Sequence, residues 1–409
     1  MMKRYGLLGQ TLSHSLSPQI HALFGEYTYE LIEKQERELA SFFADPSVAA
    51  MNVTIPYKKT VIPFCTELDD VAKRIGSVNT VRFDGDAVRG YNTDYYGFSY
   101  LLTQSGIAVA GKKVLVLGSG GASATVCCVL KDKQAREIVV ISRSGENHYG
   151  NLERHRDAEV IVNTTPVGMY PETSAAPVSL AQFPVCEALV DLIYNPLRTQ
   201  LLQDAEQRGM KTANGLPMLV AQAHRAAEIF FWKSLDKGLI ENGLRVLERQ
   251  FRNVVLVGMP GCGKSTQAGL LAEALGKYAV DTDAVVEQTT GMSIPAIFEQ
   301  QGEGAFRCLE AEAVQELSKS GGKVIATGGG AILTRENRDA LRQNAVVVFL
   351  ERELDELSTS GRPLSKSREA LEELYTQRLP LYREVADVTI TVNGTPEETC
   401  RRIMEAIGQ

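Results

Sequence analysis

The chain has 409 residues and a formal net charge of −7 at pH 7. Because a domain usually holds about 100 to 200 residues, this length predicts two or three domains. The apolar share of 44% is typical of a globular protein, and no apolar run approaches the roughly 20 residues of a membrane-spanning helix. The acidic balance argues against a nucleic-acid surface, which needs clustered Lys and Arg. We therefore expect binding to neither a membrane nor nucleic acid.

The first fifteen residues, MMKRYGLLGQTLSHS, turn polar too early for a secretory signal. The seven cysteines show no metal-ligand or paired spacing, apart from the neighbours Cys127 and Cys128. Their odd number fits reduced thiols, so we expect a cytoplasmic protein without a disulfide framework.

Short apolar segments fill residues 1 to 100, among them YGLLG, AAMNVTI and SVNTVRF, with helical stretches between them. This alternation predicts an α/β lobe. A strand–turn–helix pattern begins at KKVLVLGSGGASATVCCVL, 112 to 130, where a β-branched run is followed by a glycine turn and then by a helix-like stretch. The turn contains Gly118, Gly120 and Gly121, with Ser123 in the third glycine position, and is a modified dinucleotide fingerprint.

The next strand, EIVVISRS, ends in Ser142, Arg143 and Ser144. An acidic residue is expected there in a protein that binds NAD, because a carboxylate accepts hydrogen bonds from the ribose hydroxyl, whereas Arg143 suits the 2′-phosphate of NADP. We therefore favour NADP(H). The alternative is that Arg143 is an ordinary surface charge at a strand end.

Four motifs stand before this turn, namely SHSLSP at 13–18, NVTIPYK at 52–58, GSVNTV at 76–81 and GYNTDYYGF at 90–98. Together with DLIYNPLRT and NGLPMLVAQA further on, they make residues 1 to about 230 resemble the shikimate dehydrogenases. The resemblance implies a dehydrogenase over 1–250, with a substrate lobe at 1–100 and about 215–250 and a Rossmann-type NADP lobe at 101–214.

The resemblance also implies the residue roles. Lys58 and Asp94 are the expected catalytic pair, with Lys58 assisting the new alkoxide while NADPH reduces 3-dehydroshikimate. The paired serines favour shikimate over quinate as the product. The expected substrate contacts are Ser15, Ser17, Thr54, Asn79, Tyr194 and Gln222, and the expected cofactor contacts are Gly118, Gly120, Gly121, Ala122, Ser142, Arg143, Ser144, Asn163, Thr164, Met169 and Gly215.

A polar amphipathic stretch at 237–253 predicts a helix or link, and we place the main boundary near Gln250. The strand VVLV follows, then the phosphate-loop pattern GMPGCGKST and a helix-like stretch. In such a loop, backbone N–H groups cradle phosphates, a lysine reaches the outer phosphates and a hydroxyl ligates Mg²⁺, which predicts ATP or GTP binding. The residues concerned are Gly258, Gly261, Gly263, Lys264, Ser265 and Thr266. Within the loop, Cys262 is either a small packing residue or a reactive thiol.

Two acidic residues, Asp281 and Asp283, follow in AVDTDAVVEQTTG. Because we read them as alternating along a strand end, we expect them to point in different directions, one towards metal and the other towards substrate. The alternative is that they are merely acidic residues at a turn. Further segments, GEGAFRCLE, VIATGGGAIL, GRPL and RLPLYREVA, contain Arg307, Gly328 to Gly330, Arg362 and Arg378, and the stretch 358–370 predicts a mobile lid.

In this order the motifs resemble those of shikimate kinase over residues 252–409. The resemblance implies a P-loop, nucleoside-monophosphate-kinase-like, three-layer α/β/α domain at 251–409. It implies that Asp283 contacts the attacking hydroxyl and that Ser265 and Asp281 serve Mg²⁺. Shikimate is expected against Arg307, Gly330 and Arg378, and Arg362 is expected to close over the phosphates of ATP.

Both resemblances together predict a bifunctional enzyme with small-molecule substrates. A regulator that senses metabolites without catalysis would show eroded Lys58, Asp94, Lys264 or Asp283, and none is eroded. A third hypothesis is that only one of the two domains is active and that the other is a scaffold. The oligomeric state, monomer or homodimer, is left open by the sequence.

Overall fold

A computed structural model describes residues 3–12, 15–357 and 368–408. The chain forms two compact units. The first comprises Met1–Val167, Ala176–Tyr194 and Leu201–Val246, and the second comprises Gly168–Ala175, Asn195–Gln200 and Leu247–Gln409.

The first unit opens with a mixed α/β lobe, as the sequence predicts. In the described residues its sheet has the strand order β2-β1-β3-β5-β6-β4, in which β3 with β5 and β5 with β6 are antiparallel and the other pairs are parallel. Its elements are β1 (Arg4–Gly9), α1 (Ser17–His21), β2 (Tyr29–Glu33), α2 (Leu39–Phe43), β3 (Val48–Val53), β4 (Glu67–Leu68), α3 (Asp70–Ile75), β5 (Thr80–Asp84), β6 (Ala87–Tyr91) and α4 (Asp94–Gln104).

A parallel sheet follows in the same unit, with the order β11-β10-β9-β7-β8 in the described residues. Its strands and helices are β7 (Lys113–Leu117), α5 (Gly121–Asp132), β8 (Glu137–Ile141), β9 (Val160–Asn163), β10 (Ala188–Asp191), α6 (Gln200–Gln207) and β11 (Lys211–Ala213). Two further helices are α7 (Leu216–Phe231), which packs against α4 and β3, and α8 (Gly238–Phe251), within which the boundary between the units falls.

The apolar run of β7 is buried on both faces of this sheet. Val114 and Val116 pack in the cluster that contains Val126 and Val129 of α5, whereas Leu115 belongs to the cluster on the other face, which includes α6. Successive side chains of a strand point to opposite faces, so a strand between two helical layers reads as a continuous apolar run. The Rossmann-type prediction for this lobe is confirmed.

The second unit is built on a parallel sheet with the order β13-β14-β12-β15-β16 in the described residues. Its elements are β12 (Asn253–Val257), α9 (Lys264–Leu275), β13 (Tyr278–Asp281), α10 (Thr282–Thr290), α11 (Ile294–Ser318), β14 (Lys323–Ala326), α12 (Arg335–Arg342), β15 (Ala345–Glu351), α13 (Arg368–Val385), β16 (Val388–Thr391) and α14 (Pro396–Ala406).

The strand order sets which face each helix covers. The connection from β12 to β13 runs towards one edge of the sheet, and those from β13 to β16 run towards the other. Because such crossovers are right-handed, α9 covers one face and α11, α12 and α13 cover the opposite one. In agreement, α14 contacts α9, and α11 contacts α12. The three-layer prediction is confirmed.

Within the ranges that the structure describes, no helix is both long and apolar enough to cross a membrane. The seven cysteines are all unpaired. The same described ranges hold no cluster of three or more His, Cys, Asp or Glu side chains suited to a metal ion.

Candidate active sites

Lys58 and Asp94 form the central contact of the first unit. Lys58 Nζ lies 2.6 Å from Asp94 Oδ2, and both side chains keep partial access to solvent. Lys58 follows β3, whereas Asp94 is the first residue of α4, where a carboxylate is favoured by the helix dipole. The structure therefore brings together the pair that the sequence predicts as catalytic.

A hydrogen-bond network adjoins this pair through Thr93, the residue directly before Asp94. Asn79 Oδ1 accepts from the backbone N–H of Thr93 at 2.7 Å, and Asn79 Nδ2 donates to Thr93 Oγ1 at 3.0 Å. Thr93 Oγ1 in turn lies 3.3 Å from Oε1 of Gln222 on α7. Two predicted substrate contacts, Asn79 and Gln222, are thus joined through Thr93, which the sequence reasoning missed although it directly precedes Asp94.

The two predicted carboxylate-binding serines also lie together. Ser15 Oγ donates to Ser17 Oγ at 3.1 Å, and the backbone N–H of Ser17 donates to Ser15 Oγ. Ser17 contacts Tyr29, whose hydroxyl donates to Asn52 Oδ1 at 2.8 Å. Burial raises the pKa of Tyr29, so its hydroxyl stays a donor. No role was predicted for Tyr29 or Asn52 from the sequence.

Thr54 and Tyr194 complete the predicted substrate set. Thr54 directly follows β3 and is half-buried, with its backbone N–H donating to Leu8 at 2.9 Å. Tyr194 is half-buried beyond the end of β10, and burial raises the pKa of its phenol. Their contacts with a substrate stay a prediction.

The glycine turn lies at the point where the strand order of the parallel sheet reverses. Gly118 follows β7, and a β-carbon at this residue would lie 2.8 Å from Thr164 Oγ1, beyond the end of β9. Gly120 caps α5, which begins with Gly121 and Ala122. Crevices at such switch points bind nucleotides, and helix N-termini favour phosphates.

The remaining cofactor predictions differ in outcome. Asn163 ends β9 and donates to Asp191 at 3.0 Å, and a side chain at Gly215 would collide with the Leu192 backbone at 1.9 Å. Ser142, Arg143 and Ser144 follow β8, where the Ser142 hydroxyl donates to the Ser144 carbonyl. Met169, by contrast, is exposed and lies in the segment Gly168–Ala175, which clusters with the second unit. Its place beside a nicotinamide stays a prediction.

The second unit contains an open cavity of about 600 Å³ at the carboxyl ends of β12, β13 and β14. Its lining contains most residues predicted for this half, and also apolar side chains that the motifs did not indicate. The lining residues include Gly261, Gly263, Lys264, Ser265, Thr266, Asp281, Asp283, Glu287, Phe298, Arg307, Glu310, Gly328, Gly330 and Arg378.

The phosphate loop wraps the start of α9. Its three glycines have φ values of +148° at Gly258, +86° at Gly261 and +99° at Gly263, which side chains rarely adopt. Lys264 Nζ donates to the carbonyls of Gly258 and Met259, each at 2.9 Å. The lysine therefore lies inside the loop, next to the backbone N–H groups that would face phosphates.

The expected divergence of Asp281 and Asp283 is wrong. The strand β13 ends at Asp281, and Asp283 lies in the first turn of α10, so strand alternation does not apply. Asp281 Oδ2 accepts from Ser265 at 2.7 Å, and its Oδ1 accepts from the Asp283 backbone N–H at 3.0 Å. Both carboxylates line the same cavity.

Asp283 has an unusual environment for a carboxylate. Burial, with the charges of Asp281 and Glu310, raises its pKa to about 6. Asp283 Oδ1 and Glu310 Oε1 are both buried without a hydrogen-bond partner. Both lie close to one point, at 2.5 and 2.6 Å from the position of a β-carbon on Gly328. Two unpartnered carboxylate oxygens at one point are suited to accept from hydroxyl groups of a ligand.

Arg307 and Arg378 supply positive charge to the cavity. Arg307 Nη1 donates to Glu310 Oε2 at 2.7 Å, and a β-carbon at Gly330 would lie 2.2 Å from that nitrogen. Only a glycine at 330 therefore lets this arginine approach the backbone. Arg378, 4% exposed, has an unpartnered Nε. Glu310 ends the segment GEGAFRCLE, but no role was predicted for it from the sequence.

Two further predictions have plain outcomes. Arg362 and most of the predicted lid lie outside the described residues. Cys262 is fully buried and packs beneath the loop, with its Sγ 3.9 Å from Lys264 Nζ. Its environment favours the packing reading over the reactive thiol.

Two family models match the chain. The shikimate dehydrogenase substrate binding domain matches residues 7–81, and shikimate kinase matches residues 260–408. Among curated relatives, the NADP-dependent shikimate dehydrogenase of Clostridium perfringens SM101 is 36% identical in an alignment of 271 residues that covers 61% of this chain and the whole of that protein. The enzyme of Methanosphaera stadtmanae is 31% identical over 58% of this chain and 96% of its own length.

Solved structures resemble the first unit in the same way. A chorismate mutase/shikimate 5-dehydrogenase fusion protein from Clostridium acetobutylicum aligns with a TM-score of 0.58 and 35% identity, covering 61% of this chain and 98% of that one. Shikimate 5-dehydrogenase from Thermus thermophilus, in complex with NADP(H) and shikimate, aligns with a TM-score of 0.55 and 32% identity, covering 60% and 99%.

Proposed function

Because the chain belongs to the shikimate dehydrogenase family and carries a shikimate kinase domain after it, we propose that it catalyses two consecutive reactions. The first is the NADPH-dependent reduction of 3-dehydroshikimate to shikimate. The second is the transfer of the γ-phosphoryl group of ATP to the 3-hydroxyl of shikimate. We assign residues 1–250 to the first activity and 251–409 to the second.

In the dehydrogenase site, NADPH supplies the hydride when it is bound. Lys58 Nζ donates a hydrogen bond to the carbonyl oxygen that becomes the alkoxide, and then passes it a proton. Asp94, at 2.6 Å, keeps the ammonium group in position. The single observation that supports this role most directly is this contact.

Substrate selection in this site rests on the hydrogen-bond network. Ser15 and Ser17 supply hydroxyl donors for a carboxylate, Tyr29 contacts Ser17, and the Asn79–Thr93–Gln222 network faces ring hydroxyls. Because each polar group is already oriented by a neighbour, little conformational entropy is lost when the substrate binds. The two serine hydroxyls suit the carboxylate that both shikimate and its precursor carry.

The cofactor residues fit NADP(H). The turn Gly118–Gly121 with the N-terminus of α5 offers backbone donors to a pyrophosphate, and Arg143 offers a guanidinium to the 2′-phosphate. Ser142 and Ser144 flank Arg143, so neither of its chain neighbours is a carboxylate that would repel the 2′-phosphate.

In the kinase site, Asp283 accepts the proton of the attacking hydroxyl. Its pKa of about 6 leaves it ionised at neutral pH and more basic than an ordinary aspartate. Arg307 and Arg378 hold the carboxylate of shikimate, and Lys264 neutralises charge on the phosphates. The observation that supports this role most directly is the unpartnered Asp283 Oδ1 inside the cavity.

The residues at the loop also fit Mg²⁺. Ser265 Oγ and Asp281 Oδ2 lie 2.7 Å apart. Both are hard oxygen ligands, and Mg²⁺ usually takes only a small number of ligands from the protein. When bound, Mg²⁺ neutralises negative charge on the transferred phosphoryl group. Seven free thiols fit a reducing compartment, and we therefore propose a cytoplasmic location.

The test is a two-part assay of the purified full chain. NADPH absorbance is followed with 3-dehydroshikimate, and ADP release is followed separately with shikimate, ATP and Mg²⁺. We expect both activities. Reduction without phosphorylation would leave one active domain, and binding of all ligands without turnover would overturn the proposal.

A further inference from the structure

Arg307 is fully engaged by two glutamates of its own helix. Its Nε and Nη2 both donate to Glu303 Oε1, at 3.2 and 2.9 Å, while Nη1 donates to Glu310 Oε2 at 2.7 Å. The edge formed by Nε and Nη2 is one with which a guanidinium binds a carboxylate through two hydrogen bonds. In this structure a carboxylate of the protein occupies that edge.

The charges of the cavity make this arrangement unfavourable for an anionic ligand. Of the described lining residues, Asp281, Asp283, Glu287 and Glu310 are acidic, and Lys264, Arg307 and Arg378 are basic. Glu303 adds one more negative charge at Arg307. To bind both a carboxylate substrate and a nucleotide, the site must separate its basic side chains from their acidic partners or draw in further cations.

Glu303 can move away from Arg307 more readily than Glu310 can. The side chain of Glu310 is 1% exposed at the cavity wall, whereas that of Glu303 is 51% exposed. Glu303 also follows a break in α11, where Gly302 has a φ of +83°. It therefore begins a new helical segment, and an acid in a first turn is stabilised by the helix dipole even without Arg307.

We propose that Glu303 is an internal competitor for the substrate carboxylate, which holds the Nε–Nη2 edge of Arg307 until the substrate displaces it. This inference rests on the proposed kinase activity. Glu303 then determines affinity and selectivity for the substrate. Only a ligand with its own carboxylate can replace the hydrogen bonds that Arg307 loses when Glu303 moves away.

The test compares Glu303→Gln with Glu299→Gln, which alters an exposed glutamate of α11 that lies before the break at Gly302. ADP release is measured in the full chain at varied shikimate without NADP(H), so that the dehydrogenase site turns nothing over. Because a partly exposed ion pair is weak, we expect Glu303→Gln to lower KM for shikimate by about twofold to fivefold. We expect kcat to be unchanged, since Asp283 is not altered, and Glu299→Gln to match the wild type.

A second substrate separates competition from a general loosening of the site. The methyl ester of shikimate lacks the negative charge, so Glu303→Gln should not lower its KM. Glu303→Asp, which keeps the charge on a shorter side chain, should give an intermediate KM for shikimate. A KM for shikimate in Glu303→Gln equal to or above that of the wild type would overturn the inference, as would an equal gain for the ester. If the wild type releases no ADP with shikimate, the proposed function itself fails instead.

Discussion

Lys58 and Asp94 are 36 positions apart in the chain, yet Lys58 Nζ lies 2.6 Å from Asp94 Oδ2. The two residues lie on different elements, one beyond β3 and the other at the start of α4, so their meeting requires the packed lobe. Thr93, directly before Asp94, is fixed by Asn79 and reaches Gln222. The residue that precedes Asp94 is therefore tied both to Asn79, before β5, and to Gln222, on α7.

Replacing Lys58 by Met should reduce the dehydrogenase kcat by about 10²- to 10⁴-fold, because the positioned proton donor is lost. KM for NADPH should change little, since Lys58 lies outside the glycine turn. The measurement is NADPH oxidation with 3-dehydroshikimate, and ADP release by the same preparation serves as the internal control. Lys59→Met, which alters the exposed neighbour, should retain wild-type kcat. Near-normal turnover of Lys58→Met would contradict the role given to this lysine.

Arg143→Ala should raise KM for NADPH by about tenfold to a hundredfold, because a charge-assisted hydrogen bond to the 2′-phosphate is lost. KM for NADH should stay the same, so the preference between the two cofactors should shrink. Arg136→Ala removes an exposed arginine that directly precedes β8 and pairs with Glu159, and it is the matched control. An equal rise of KM for NADPH and NADH would show that Arg143 does not contact the phosphate.

Much of the fold follows from the sequence because local patterns determine it. The apolar runs before the two glycine turns specify buried parallel strands, and the loop glycines specify the start of α9. The missed residues have a different origin. Thr93 reaches Gln222, a partner that tertiary packing brings to it. Glu310 pairs with Arg307 of its own helix, and its importance depends on the cavity that both residues line. Asp283 was misplaced because the helix α10 begins directly after the strand end at Asp281.

Removal of divalent metal should distinguish the two activities. Because Ser265 and Asp281 offer oxygen ligands beside the phosphate loop, EDTA should abolish ADP release and leave NADPH oxidation unchanged. Asp281→Asn should raise the Mg²⁺ concentration needed for half-maximal ADP release by several-fold. A wild-type Mg²⁺ dependence in Asp281→Asn, in protein with a normal unfolding temperature, would exclude this carboxylate from the metal site.

The kinase activity should depend on the ionisation of Asp283. Burial, Asp281 and Glu310 raise the pKa of this carboxyl to about 6, and it accepts a proton only when ionised. We therefore expect kcat/KM for shikimate to rise with pH up to about 6 and to level off above it, with bound Mg²⁺ moving the inflection lower. A profile that falls over this range would contradict the role of Asp283 as a base.

Asp283→Asn should stabilise the kinase domain while it abolishes ADP release. A carboxyl whose pKa is raised in the folded state contributes stability that is complete below its unfolded value of 3.8 and is lost as pH rises through about 6. At pH 7.5 the wild type therefore holds a buried charge at a cost of at most about 3 kcal/mol. The neutral amide removes this cost and can donate to Glu310 Oε1, which has no partner in the structure.

The measurement is calorimetric unfolding of the full chain in EDTA, in which the transition that ADP shifts upward belongs to the kinase domain. We expect Asp283→Asn to raise the Tm of that transition by a few degrees at pH 7.5 and by much less at pH 4, where the wild-type carboxyl is itself largely protonated. Glu299→Gln, which neutralises an exposed carboxylate, should change neither value. A lower Tm for Asp283→Asn at pH 7.5 would mean that the charged carboxylate stabilises the domain, so the elevated pKa would be wrong.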